Sequence, residues 1–84
     1  MNLDVVATAT WRVPVYVRIG YGGSESVQSA SEALQYLINW WPLERGDAYE
    51  NALGMCKAAS EGTVSCEVAR DAFLAAAAEA HVRA

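Results

Sequence analysis

The sequence predicts an α+β domain: an N-terminal antiparallel β-hairpin followed by three α-helices packed on one face, a ββααα order. Residues 11–19 alternate apolar and polar side chains without a fault, and the turn-forming stretch Gly20-Tyr21-Gly22-Gly23-Ser24 follows at once. From Ser29 onward the apolar residues recur at helical spacing as far as the C-terminus. A period of two followed by a period of 3.6 residues is the signature of strands giving way to helices.

In the first strand Trp11, Val13, Val15, Val17 and Ile19 fall on one side, with Arg12, Pro14, Tyr16 and Arg18 on the other. Strand side chains alternate between faces, so the first set is expected to be buried and the second exposed. Pro14 has no N–H to give to a neighbouring strand and must face a free edge or a bulge. The glycines adopt positive φ at little cost and reverse the chain into a second strand over residues 25–28. Residues 1–9 hold Val5 and Val6 without a clear period and read as an arm or a short extra strand, within a single domain spanning residues 1–84.

Ser29 and Glu32 form a capping box, in which the hydroxyl accepts from the first helical turn and the carboxylate reaches back. The expected buried stripe is Ala30, Leu34, Leu37, Ile38 and Trp41, and Pro42 stops the helix by forcing its predecessor out of helical geometry. The second helix is expected from Asp47, as N-cap, to Glu61. Tyr49, Ala52, Leu53, Cys56 and Ala59 lie on its inner face, and Gly62 ends it. Ser65 caps a third helix with Ala69, Ala72, Phe73, Ala76 and Ala80 inward, while Glu67, Arg70, Asp71, Leu74, Ala78 and His81 project outward.

Length and charge narrow the function. An 84-residue chain buries only about 60–65% of the surface its unfolded form exposes, so self-association would add stability. The net charge of −4 repels nucleic acid and anionic lipid unless a local basic patch outweighs it. The longest apolar run, residues 72–78, is too short for a bilayer of about 30 Å. The first ten residues carry Asp4 and no basic residue, which argues against a secretory leader, and two cysteines do not make a disulfide scaffold. A soluble, cytoplasmic protein is expected.

No catalytic constellation stands out. Cys56, Cys66 and His81 are the soft ligands, and a structural zinc site needs four in close pairs, so neither metal nor cofactor is expected. Cys56 reads as a small hydrophobe on an apolar face. Cys66 lies in the first turn of a helix, where the dipole favours a thiolate, which makes it the reactive-thiol candidate, although Glu67 beside it works the other way. The carboxylates Glu50, Glu61, Glu67 and Asp71 read as solvated helix faces, and the glycines precede no phosphate-binding lysine.

Two surfaces remain. Arg12, Tyr16 and Arg18 combine guanidinium groups with a ring, a mixture able to hold phosphates and stack bases. Tyr36 and Trp40, one turn apart, and Leu74 are apolar groups at the margins of their stripes, of a kind enriched at interfaces.

Trp11-x-x-Pro14-Val15, Ser29-x-x-Glu32-Ala33, Trp41-Pro42, Cys56, Gly62 and Ala69-Arg70-x-Ala72-Phe73 together resemble a family of small rhizobial and alphaproteobacterial proteins, catalogued as domain of unknown function number nine-eight-two. The resemblance implies a small cytosolic α+β protein and brings no catalytic residues with it. The expected function is a non-enzymatic interaction module, dimeric, with an unidentified protein or small-molecule partner and no membrane contact. The alternative is a nucleic-acid-associated regulator using the Arg12, Tyr16 and Arg18 face, and a third possibility is a thiol-dependent activity at Cys66.

Overall fold

Strand β1 (Thr10–Val17) pairs antiparallel with β2 (Glu25–Ser29), and three helices follow: α1 (Ala30–Gln35, continued by a π-helical turn, Tyr36–Trp40), α2 (Asp47–Ser60) and α3 (Cys66–Glu79). The computed structural model describes residues 10–19, 23–42 and 45–83, so the arm or strand expected over residues 1–9 lies outside the described residues. Helices α1 and α3 lie against the strands, and α2 packs chiefly on α3 and then on α1. The α+β class and the ββααα order are as the sequence predicts.

The hairpin is regular near its turn and irregular away from it. Val15, Tyr16 and Val17 face Val27, Ser26 and Glu25 in step, whereas from Val15 back to Thr10 the first strand moves five residues while its partner moves two, from Val27 to Ser29. Pro14 sits inside this bulged stretch, where its missing N–H does no harm. The bulge also corrects one expectation: Val13 is 58% exposed rather than buried, because the extra residues break the alternation that placed it inward. Its carbonyl accepts from Arg70 Nε at 2.7 Å, so a guanidinium on α3 braces the bulge.

The other edge of β1 is covered by the C-terminal segment. Helix α3 ends in a Schellman motif, with Val82 N–H donating to Ala77 O (3.0 Å) and His81 N–H to Ala78 O (3.2 Å). His81, expected on the outer face of the helix, is instead the left-handed residue beyond its end, with φ of 59°. The reversal buries Val82 and lets its carbonyl accept from Arg18 N–H at 2.7 Å, while Arg83 bridges antiparallel to Val17. Helix α2 ends in the same way: Gly62 (φ 84°) donates to Ala59 O and Thr63 to Ala58 O.

At the other end of α2 the capping differs from the sequence expectation. Gly46, not Asp47, is the N-cap residue and offers no side chain. The carboxylate of Glu79, from the last turn of α3, takes its place, accepting from the N–H groups of Gly46 (3.1 Å), Ala48 (3.3 Å) and Tyr49 (3.2 Å). A Cβ at position 46 would stand 2.5 Å from Glu79 Oε2, so a larger residue there would displace the capping carboxylate.

Trp11, Phe73, Trp41 and Tyr49 form an aromatic chain through the core, with successive centroids 5.8, 5.5 and 6.4 Å apart. Leu37, Val17, Val27 and Cys56 are fully buried around it, and Ala69, Ala72, Ala76 and Ala77 of α3 permit close helix packing. Tyr49 donates its hydroxyl to Leu37 O at 2.8 Å, taking up a carbonyl near the end of α1.

Candidate docking groove

The site is built where the turn end of the hairpin meets the end of α1. Val17 and Glu25 are cross-strand partners, and directly opposed residues project to the same face of a hairpin, so a carboxylate stands beside a buried valine on the helix-covered side. Above them α1 widens into its π-helical turn, a form that recurs at functional sites. The wider turn carries Ile38 out of the expected stripe, to 56% exposure, while Leu37 and Trp41 stay buried. Tyr36 and Trp40, four residues apart, then line one flank of an open groove of about 250 Å³ whose other walls are Val17, Ile19 and Glu25.

Among the described residues the groove has one anchored polar pair. Tyr36 donates its hydroxyl to Glu25 Oε1. That hydrogen bond, then burial, then the negative charges of Glu25 and Glu32 push the phenol up to about 12, so it stays a neutral donor near neutral pH. Glu32 is itself fixed at the start of α1, where its N–H donates to Ser29 Oγ (3.2 Å) and its Oε1 accepts from Gln28 N–H (2.9 Å), the predicted capping box shifted by one backbone donor. Trp40 is not anchored in this way. It is 65% exposed, the most exposed of the large apolar residues among those described.

The other sequence candidates lie elsewhere. Tyr16 is 51% exposed and Arg18 shares its outer strand face two residues on, while Arg12, also exposed, is separated from them by the bulge. Leu74 is half-buried and packs against the core, so it does not share a surface with Tyr36 and Trp40 as far as the groove is concerned. Cys66 is half-buried after its cap Ser65, whose hydroxyl accepts from Val68 N–H at 3.2 Å. Cys56 is buried against Ala69 O, and desolvation pushes its thiol up to about 12. Among the described residues no three His, Cys, Asp or Glu side chains come together to hold a metal ion, and no helix is long and apolar enough to cross a membrane.

Sequence reasoning missed Val17, Ile19 and Glu25 as site residues. A signal was present, since counting four residues each way from Tyr21 pairs Val17 with Glu25. What could not be counted was the π-helical turn that aims Tyr36 at that carboxylate.

Residues 13–84 match the family model described as Protein of unknown function (DUF982). The chain belongs to this family. All five groove residues fall within the DUF982 match. The NMR structure of the Agrobacterium tumefaciens protein Atu1219 is similar, with 38% identity and a TM-score of 0.73 over 89% of this chain and 75% of that one. That neighbour comes from an alphaproteobacterium, in keeping with the resemblance drawn from the sequence. No curated protein matches the chain.

Proposed function

We propose that this DUF982 member is a non-enzymatic interaction module that works as a homodimer and presents the Tyr36–Trp40 groove to a binding partner. The observation that carries this reading is Trp40, an indole left 65% exposed at the mouth of a groove whose remaining walls are fixed. Exposed tryptophans are costly in water and enriched at the centres of interfaces. A volume of about 250 Å³ is below the roughly 300–1,000 Å³ of sites that enclose whole small molecules, and suits a single inserted group. Glu25 and Tyr36 hold each other, and among the described residues no nucleophile lines the groove with them, which favours binding over catalysis.

Self-association is assigned to apolar groups outside the groove. Val13, Tyr16 and Ile38 are each at least half exposed, and a closed two-fold contact buries such groups on both copies at once. Sedimentation equilibrium tests it: a monomer–dimer equilibrium is expected, with melting temperature rising with concentration. A monomer throughout, with melting independent of dilution, would refute the dimer. Tyr16 and Arg18 on one outer face favour the nucleic-acid alternative, and anisotropy with a labelled single strand at low salt tests that reading separately.

A further inference from the structure

We propose that the groove receives one organic cation on an apolar stem: the side chain of an arginine or lysine carried by a basic protein partner. This rests on the groove being the docking surface. Its walls are two aromatic rings, Tyr36 and Trp40, whose π faces attract ammonium and guanidinium groups. Among the described residues its one charged wall is the carboxylate of Glu25. Oε1 of that group takes the Tyr36 hydroxyl, and an ionised carboxylate has about four acceptor positions in all, so Oε2 is able to accept from a guest. The floor, Val17 and Ile19, is apolar and matches the methylene stem of a long basic side chain.

The alternatives fit less well. An anion would face Glu25 directly, and the phenolic donor that could offset this is already occupied by that carboxylate. A neutral guest would strip water from Glu25 without supplying a counter-charge, which is unfavourable. Two of the chain's cations are engaged elsewhere: Arg45 donates to Trp41 O and Pro42 O and lies 5.0 Å from the Tyr49 ring centroid, and Arg70 holds Val13 O. At long range the net charge of −4 draws cations toward the domain, and Glu32 adds negative potential at Tyr36. The open mouth, with Trp40 exposed at it, leaves room for the main chain that carries the inserted side chain, which favours a protein over a free small cation.

The test uses a capped Gly-Arg-Gly peptide, the same peptide with neutral citrulline for arginine, and butylguanidinium, followed through the Trp40 indole and Tyr36 ring resonances by NMR. The arginine peptide is expected to shift both signals saturably and more weakly as salt is added. Citrulline should bind at least about tenfold more weakly, as should Glu25→Gln and Trp40→Ala with the arginine peptide. Gln at position 25 keeps an acceptor for Tyr36, so that variant separates charge from structure. Equal binding of the citrulline peptide, or no loss in Glu25→Gln, overturns the cation assignment while leaving the groove as a docking surface. Butylguanidinium binding more tightly than the peptide overturns the protein partner. Absence of saturable shifts at Trp40 and Tyr36 with every probe overturns both this proposal and the groove on which it rests.

Discussion

Glu79→Ala removes three acceptor contacts at once from the first turn of α2. The bonds, at 3.1, 3.3 and 3.2 Å, lie at the long end of the normal range, and at about 0.5–1 kcal/mol each they total roughly 2 kcal/mol. Loss of a negative charge beside a helix N-terminus adds about 0.3–1 kcal/mol, and water reaching the freed N–H groups returns part of the sum. The expected cost is therefore about 2 kcal/mol, the upper end of what an N-cap residue contributes. For a domain of this size that lowers the melting temperature by about 8–16 °C. Glu79→Gln keeps one oxygen for Gly46 and Tyr49 but turns an amide N–H toward Ala48, so about half the loss is expected. Urea unfolding should show lower midpoints at an unchanged slope, while Asp71→Ala, exposed on the same helix, stays within about 0.5 kcal/mol of the parent. A Glu79→Ala variant as stable as the Asp71 control would refute the cross-helix cap.

Phe73→Ala is expected to cost about 3–5 kcal/mol, since the ring is fully buried between Trp11 and Trp41, and calorimetry showing a loss below about 1 kcal/mol would contradict its place in the core. Under native conditions Cys66 should be alkylated well before Cys56, which is buried and holds its proton to about pH 12; equal rates, read by mass spectrometry, would mean that α2 opens as easily as the start of α3. One tyrosine should ionise only near pH 12, and Glu25→Ala should bring it back toward 10, as followed by tyrosinate absorbance. Because the folded pKa of Tyr36 lies above the unfolded value, its contribution to stability is complete below pH 10 and is lost as pH rises from about 10 to 12.

Much of the fold was legible because local chemistry and tertiary packing agree. Ser29 with Glu32, Gly62 and Ser65 mark helix ends by side-chain or backbone chemistry that acts within a few residues, and each does so in the structure. Pro14 announced a bulge or edge through its missing N–H. What the sequence hid depends on contacts between distant segments or on a change of helical pitch. Val13 and Ile38 obey the simple period yet face solvent, one because extra residues enter β1 and the other because α1 widens. Asp47 looked like a cap, and the group that does the capping lies 33 residues from Gly46 in sequence. The groove was half visible: Tyr36 and Trp40 stood out as a marginal aromatic pair, whereas Glu25 became part of it through strand pairing.

The covering of β1 by Val82 and Arg83 governs the order in which the fold is completed during synthesis. The strand is made before the helices, and the backbone that finishes its edge follows 64 residues after Arg18, once all three helices have been made. Until then the edge of β1 that they cover near Val17 is open to another nascent chain, and the bulge and proline further along discourage pairing there. Closing so long a loop costs entropy that the finished helix layer offsets, so Val82 and Arg83 act as a latch on the first strand.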